Sequence, residues 1–128
     1  FKGIVGTSIM KFFDLALGKT GLSEKEAEQL GISYDVHTQE ATDIAGYYPG
    51  KKTMHMKLIY RKDDQQILGG QIIGGNGVDK RIDVLATALY HHMTFSELLD
   101  LDLAYAPPFN GVWDPLQQMA KRNTTQKI

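Results

Sequence analysis

The stretch that decides the fold is residues 53–74, which read TMHMKLIYRKDDQQILGGQIIG. Apolar and polar side chains alternate over residues 53–60, the pattern of a strand with one face in the core. Residues 63–66 then interrupt the pattern with polar, turn-forming side chains, and apolar residues return over 67–74. Two strand patterns joined by such a short loop predict an antiparallel hairpin. The glycines of the second strand indicate that neighbouring groups pack closely against it.

Further strands are expected on the N-terminal side of this hairpin. Residues 3–13 carry β-branched and aromatic side chains bounded by glycine, which predicts a mostly buried strand. Residues 18–22 have the composition of a turn, and residues 32–42 return to a looser strand pattern. Residues 46–50 combine glycine and proline and predict another turn. The hairpin is therefore expected to belong to a larger antiparallel sheet.

Two short helices are predicted from capping boxes, in which a Ser or Thr and a Glu three residues later satisfy the first free backbone N–H groups. Ser23 and Glu26 have this spacing before a helix over residues 24–30, and Thr94 and Glu97 repeat it. Asp114, with proline at the next position, predicts a last helix.

The longest predicted helix covers residues 78–93, where the apolar period changes to the helical one. Its apolar stripe contains Val78, Ile82, Leu85, Ala86, Leu89 and Met93. Lys80, Arg81 and Asp83 are expected to face away from that stripe, and the charges at its start predict a salt-bridged helix cap. Because helices follow strands rather than alternating with them, the fold class is α+β, an antiparallel sheet with flanking helices.

Composition narrows the class of protein. The chain has 128 residues, 42% of them hydrophobic, and a formal net charge of −1, as in an ordinary soluble domain. Charges of both signs are spread along the chain, so neither nucleic acid nor a membrane is an expected partner. We expect one domain over residues 1–120 and a polar tail over 121–128. Because the chain begins with Phe1 and enters a strand pattern at once, we expect it to be a piece of a longer polypeptide.

Cysteine is absent, which excludes a disulfide framework, a thiolate zinc site and a redox-active thiol in this chain. This composition fits a reducing cytoplasm, which is the expected location. His37, His55, His91 and His92 lie at no spacing typical of metal ligands, so no metal is expected. The glycines of residues 69–77 lack the spacing of a phosphate-binding loop, so they predict close strand packing followed by a turn.

Two loops rich in aromatic residues and proline are the candidate functional segments. Residues 47–50 read YYPG, and residues 103–109 read LAYAPPF. A tyrosine on a loop offers a flat apolar body and a hydroxyl that can donate to an anion or a thiolate. Proline restricts the loop in advance, so less entropy is lost when a ligand binds. The same tyrosines could instead cover a small core.

These loops and several other segments resemble the C-terminal dimerisation domain of coenzyme A disulfide reductases and related NADH oxidases. The resemblance rests on the following runs: GIVGTS at 3–8, TGL at 20–22, YYPG at 47–50, MKLIY at 56–60, ILGGQ at 67–71, GVDKRIDVLATA at 77–88 and YAPPF at 105–109. They occur in order over nearly the whole chain, and VDKRIDVLATA is the most specific of them.

The resemblance implies a homodimer of a longer enzyme that carries FAD-binding and NAD(P)H-binding domains and reduces coenzyme A disulfide. It also implies that the family's catalytic cysteine lies in that other part of the enzyme, with FAD and NAD(P)H. Tyr105 and Tyr47, favoured over Tyr48, would then face the partner subunit's active site. Tyr48, Pro107 and Phe109 would contact the substrate.

Three alternatives remain open at this point. The same domain could belong to a water-forming NADH oxidase, although that subgroup resembles the chain less at the YAPPF loop. It could also belong to a reductase of coenzyme A persulfide or polysulfide. A free-standing module that binds a small ligand or a protein through its aromatic loops is the third alternative.

Overall fold

The computed structural model describes residues 6–111 and 113–126 as a five-stranded antiparallel sheet flanked by helices. The strands lie in the order β1-β2-β5-β4-β3. The elements are β1 (Ser8–Phe12), β2 (Leu15–Gly21), α1 (Glu24–Gln29), β3 (Tyr34–Thr42), β4 (Thr53–Arg61), β5 (Ile67–Gly74), α2 (Val78–Tyr90), α3 (Phe95–Leu99) and α4 (Pro115–Gln126). The expected α+β class with an antiparallel sheet is confirmed. No helix among the described residues is both long enough and apolar enough to cross a bilayer.

The predicted hairpin forms the centre of the sheet. β4 pairs with β5 from Met54 opposite Gly74 to Tyr60 opposite Ile67, with an irregularity after Ile59. The alternating side chains of β4 behave as expected, since Met54, Met56, Leu58 and Tyr60 are all buried on one face. Residues of β5, α2, α3 and α4 complete this core. The opposite face of the sheet is open over much of its area.

Helix α2 packs directly on β2 and β5, and glycines make this close approach feasible. A Cβ at Gly18 would lie 2.2 Å from Cγ1 of Ile82 in α2. One at Gly70 would lie 3.0 Å from Cδ1 of Leu85 in α2 and 2.7 Å from Cδ2 of Leu58 in β4. The turn predicted at residues 18–22 is therefore wrong: most of that segment is strand, and glycine is needed there because α2 crosses it. The close packing predicted for β5 is confirmed.

The sequence predicts that the strand within residues 3–13 is mostly buried, and this prediction is wrong. Residues 3–5 lie outside the described part of the chain, and β1 is exposed along its length. Phe12 and Phe13 are 64% and 84% exposed. The reason is position in the sheet, because β1 is an edge strand that pairs only with β2, and α2 covers β2 and β5 instead.

The helix boundaries agree with the capping signals. Ser23 and Glu26 form the predicted capping box at α1, and Thr94 and Glu97 form the one at α3. At α4, the Oδ1 of Asp114 accepts a hydrogen bond from the backbone N–H of Leu116 at 2.9 Å. α4 continues to Gln126, so residues 121–126 are helical, whereas the last two residues of the predicted tail lie outside the described part.

The orientation predicted for Arg81 is wrong. Arg81 is 1% exposed, and its Nε donates to Oδ2 of Asp114 at 3.1 Å. It therefore forms a buried ion pair with the start of α4 rather than part of a solvent-exposed helix cap. Arg81 follows Val78 by three residues and precedes Leu85 by four, so the helix places it beside the apolar stripe.

Replacing Gly70 by Ala should destabilise the chain by about 1–3 kcal/mol, because the added methyl group overpacks the contact between β5 and α2. Gly46 is the matched control, since a Cβ there would have no atom within 4 Å. Gly46→Ala should change the unfolding free energy by less than about 0.5 kcal/mol. Urea unfolding of the three proteins measures the difference. Equal midpoints for both variants would contradict the packing described for Gly70.

Candidate functional site

The first candidate loop, residues 43–52, contains the YYPG run and joins β3 to β4. Two hydrogen bonds between Asp43 and Lys52 close it at its base. The N–H of Asp43 donates to the carbonyl of Lys52 at 3.0 Å, and the N–H of Lys52 donates to Oδ1 of Asp43 at 2.7 Å. Above this base, the N–H of Tyr48 donates to the carbonyl of Ala45 at 2.9 Å, which forms the predicted turn. Tyr47 lies within this turn and is 76% exposed.

The second candidate loop, residues 101–114, joins α3 to α4. The carbonyl of Ala106 accepts from the N–H of Phe109 at 2.8 Å and from that of Asn110 at 2.9 Å, so the two prolines lie in a tight turn. Tyr105 precedes this turn and is 47% exposed, whereas Phe109 is 71% exposed. Pro107 is partly buried.

The two loops contact each other. The backbone N–H of Ala45 donates to the carbonyl of Pro107 at 3.3 Å. The pKa of Tyr47 is raised above its ordinary value, first by side-chain hydrogen bonding with Tyr105 and then by desolvation and by the charge of Tyr105. The two phenol groups therefore influence each other.

Of the five residues singled out from the sequence, Tyr47 and Tyr105 lie on loops that the structure joins, and Tyr105 raises the pKa of Tyr47. Tyr48 is 37% exposed and lies beside Tyr47 in the chain. Pro107 contributes its carbonyl to the junction of the loops, and Phe109 projects into solvent. The result is an exposed aromatic surface with two adjacent hydroxyl groups.

A buried polar cluster lies beneath this surface, and the sequence analysis missed it. Arg81 of α2 contacts both loops through its guanidinium, and Asn110 and Asp114 are each 1% exposed beside it. The helical spacing of Arg81 relative to Val78 and Leu85 was the available signal, because it placed the arginine next to buried positions. Its partners could not be identified, since they lie about thirty residues away in the sequence.

No metal site is found within residues 6–111 and 113–126: no group of three or more His, Asp or Glu side chains there could hold an ion. The open face of the sheet carries a shallow depression lined by residues of β3, β4 and β5. His55 pairs with Glu40 in it at 3.2 Å, and Lys57 pairs with Glu24 at its margin. None of the tyrosines of the two loops lines this depression.

Residues 7–116 match the sequence pattern of the pyridine nucleotide-disulphide oxidoreductase dimerisation domain. The chain belongs to this family. The dimerisation domain is 40% identical over 110 residues to coenzyme A disulfide reductase from Staphylococcus aureus, a match that covers 86% of this chain and 25% of that protein. The family resemblance seen in the sequence is therefore confirmed.

Solved structures agree with this assignment. The dimerisation domain superposes on an NAD-dependent persulfide reductase from A. fulgidus with a TM-score of 0.94 and 37% identity, covering 99% of this chain and 24% of that one. It superposes on Bacillus anthracis CoADR-RHD with a TM-score of 0.93 and 43% identity, covering 98% of this chain and 22% of that one. The chain thus spans about a quarter of the length of these relatives.

The influence of Tyr105 on Tyr47 can be tested by titration. In Tyr105→Phe, the pKa of Tyr47 should fall towards the ordinary value of about 10, because the hydroxyl group of Tyr105 that raises it is lost. In the unaltered protein this stabilisation of the neutral form is fully present below that ordinary pKa, and it is lost as the pH rises through the raised pKa of Tyr47.

The measurement is a pH titration by fluorine NMR with 3-fluorotyrosine incorporated at position 47 in every protein compared. Tyr90→Phe is the matched control, because Tyr90 is 67% exposed at the end of α2 and outside both loops. It should leave the titration of position 47 unchanged. An identical pKa in Tyr105→Phe and the control would show that the two phenols do not interact.

Proposed function

We propose that this dimerisation domain is part of an FAD-dependent, NAD(P)H-dependent coenzyme A disulfide reductase, and that it donates Tyr47 and Tyr105 to the active site of the partner subunit in a homodimer. The observation that carries the proposal is the pair of exposed tyrosines on two proline-containing loops that a backbone hydrogen bond from Ala45 to Pro107 joins, with Tyr105 raising the pKa of Tyr47. The likeness to coenzyme A disulfide reductase from Staphylococcus aureus supports the substrate.

The chemistry of the pair suits a sulfur substrate. When a disulfide is cleaved by a thiol, negative charge develops on the departing sulfur. A phenol O–H held near that sulfur stabilises the charge without reorganising, as in other preorganised anion sites. Two neighbouring phenol groups offer two such O–H donors to the thiolate of coenzyme A.

The neighbouring residues supply an apolar wall for the same substrate. Phe109 and Tyr48 present ring surface to solvent beside the phenol pair, and Pro107 stiffens the turn between Tyr105 and Phe109. Such rigid aromatic side chains bury area on binding at a low cost in conformational entropy. We assign these three residues to contacts with the body of coenzyme A rather than to the reacting sulfur.

Within the part of the chain that the structure describes, the glycine-rich segment offers no dinucleotide site, so FAD and NAD(P)H would be held by other parts of the full-length enzyme. The glycine-rich strand β5 has no open cradle: a Cβ at Gly69 would lie 2.1 Å from the carbonyl oxygen of Leu22, and Gly70 packs on Leu58. A phosphate-binding loop would instead leave its N–H groups free at a helix start. The flavin supplies the electrons for disulfide reduction, and this chain supplies hydroxyl groups.

Kinetics of the full-length protein test the role of the tyrosines. Tyr105→Phe and Tyr47→Phe should each lower kcat for coenzyme A disulfide by roughly tenfold to a thousandfold, the range for removing one hydrogen-bond donor to a developing anion. Flavin content should not change, because neither residue contacts the flavin in this proposal. Tyr90→Phe should retain kcat within about twofold. Full turnover in both loop variants would overturn the proposed role.

Hybrid dimers test whether the tyrosines act across the subunit interface. One subunit carries Tyr47→Phe and Tyr105→Phe, and the other lacks the flavin-proximal cysteine that the family resemblance implies. In a mixed dimer, the subunit with the intact cysteine receives intact tyrosines from its partner, so one of the two sites should recover activity. If each subunit used its own tyrosines, every active site of the mixed dimer would be defective. A mixed dimer without activity would therefore exclude donation of the tyrosines across the interface.

Reduction of coenzyme A persulfide is a second candidate activity, favoured by the likeness to the A. fulgidus persulfide reductase. Both substrates release a sulfur anion, so the phenol pair serves either. The ratio of kcat/KM for coenzyme A disulfide and coenzyme A persulfide in the full-length protein decides between them. A ratio in favour of the persulfide would replace the first candidate with the second and leave the role of the tyrosines unchanged.

A further inference from the structure

Arg81 lies beneath the phenol pair and reaches both loops from a single guanidinium group. Its Nη2 donates to the backbone carbonyl of Asp43 at 2.9 Å, at the base of the loop that carries Tyr47. The same nitrogen donates to Oδ1 of Asn110 at 3.0 Å, at the end of the turn that follows Tyr105. One planar group thus sets the distance between the two loops.

Each of these contacts fixes more than one residue of its loop. Asp43 is bonded through its N–H and its carboxylate to Lys52, so a contact with Asp43 holds both ends of the first loop. The Nδ2 of Asn110 donates to the carbonyl of Ala104 at 3.2 Å, immediately before Tyr105. Arg81 therefore contacts both loops at points where each loop is tied to itself.

The guanidinium is itself held in place on its other sides. Its Nε donates to Oδ2 of Asp114 at 3.1 Å, and its Nη1 donates to the carbonyl of Gly77 at 3.2 Å. Gly77 leaves the space that this requires, since a Cβ there would lie 2.2 Å from Nη1 of Arg81. With Arg81 and Asp114 each 1% exposed, water does not compete for these bonds.

The tyrosines, by contrast, are exposed side chains whose relative position depends on the backbone beneath them. Tyr47 is 76% exposed and Tyr105 is 47% exposed, so packing restrains their rings only weakly. A backbone hydrogen bond from Ala45 to Pro107 also joins the loops, at 3.3 Å. Because hydrogen bonding weakens steeply with distance, the influence of Tyr105 on Tyr47 depends on the separation of the two loops.

We propose that Arg81 is a positioning residue for the phenol pair, Tyr47 and Tyr105: by its bonds to Asp43 and Asn110 it holds the two loops that carry these tyrosines at a fixed separation. The hydrogen bonds recorded for Arg81 go to Gly77, Asp43, Asn110 and Asp114. The inference rests on the proposed function only where turnover is concerned, because the geometry of the pair can be measured without it.

Arg81→Lys is the variant that separates geometry from charge. Lysine keeps the positive charge beside Asp114, but its single ammonium lacks the planar fork that spans Asp43, Asn110 and Asp114. In the full-length flavoprotein, the pKa of Tyr47, read by 3-fluorotyrosine at position 47, should fall towards its ordinary value. The kcat for coenzyme A disulfide should fall roughly tenfold to a hundredfold, as expected when a reacting group is displaced by about 1 Å.

Arg61→Lys is the matched control, because Arg61 also forms three side-chain hydrogen bonds, to Asp64 and Gln66, but at the far end of β4. Nine residues of strand place it roughly 26 Å from the tyrosine loops. It should change neither the titration of position 47 nor kcat. A double-mutant cycle adds a further criterion: Tyr47→Phe should cost less in the Arg81→Lys background than in the unaltered protein, because the pair is already separated.

The positioning role of Arg81 and the proposed function can fail independently of each other. If Arg81→Lys folds and position 47 titrates as in the Arg61→Lys control, the positioning role is overturned, whatever the tyrosine variants do to turnover. If the pKa falls in Arg81→Lys but Tyr47→Phe and Tyr105→Phe retain full turnover, the positioning role stands and the proposed function fails.

If Arg81→Lys does not fold, Asn110→Ser decides the matter. This variant keeps both charges of the ion pair of Arg81 with Asp114 and removes the bond from Nη2 of Arg81 to Oδ1 of Asn110. It also removes the bonds from Nδ2 of Asn110 to Asp114 and to the carbonyl of Ala104. A lowered pKa at position 47 in Asn110→Ser supports the positioning role, and an unchanged pKa overturns it.

Discussion

The buried ion pair between Arg81 and Asp114 is the interaction on which the functional end of the molecule depends. Removing two charges from water is costly, and a buried pair contributes little to stability unless its remaining hydrogen-bonding groups are also satisfied. Here they are: Asp114 accepts from Arg81, Asn110 and the N–H of Leu116, and Arg81 donates to two backbone carbonyls. The pair therefore joins α2, α4 and the first tyrosine loop in one defined geometry.

The sheet provides the rigid support for this arrangement. α2 lies close to β2 and β5 because Gly18 and Gly70 leave no side chain between helix and strand. The distance between α2 and the sheet also sets the distance from α2 to the end of β3 and the start of β4, where the first loop leaves the sheet. If α2 lay further from the sheet by the width of a methyl group, the guanidinium of Arg81 would move away from the carbonyl of Asp43. The close packing and the loop geometry are thus linked through α2.

Exposure separates the parts of the molecule by their roles. The tyrosines and Phe109 are exposed, whereas Arg81, Asn110 and Asp114, which connect the two loops, are buried. Side-chain hydrogen bonding with Tyr105 raises the pKa of Tyr47 above its ordinary value, so it favours the neutral phenol. This arrangement suits a site that offers hydrogen-bond donors to an anionic sulfur.

The sequence by itself determined those features that depend on neighbours in the chain. The alternation at residues 53–60, the capping boxes at Ser23 and Thr94, and the Asp114-Pro115 helix start are local patterns, and each corresponds to the observed element. The family resemblance is also visible in the sequence, because each of the matching segments is a contiguous run of residues. Two of these segments contain Tyr47 and Tyr105.

Only the tertiary structure decided which surfaces are covered and which distant groups meet. The apolar side chains of β1 are exposed and residues 18–21 are strand, because strand order and the path of α2 set burial there. The sequence around Arg81 predicts a surface residue. Its hydrogen-bond partners Asp43, Asn110 and Asp114 all lie about thirty or more residues away and are brought to it only in the folded structure. Burial of a charge depends on partners that folding brings together, and no local pattern encodes them.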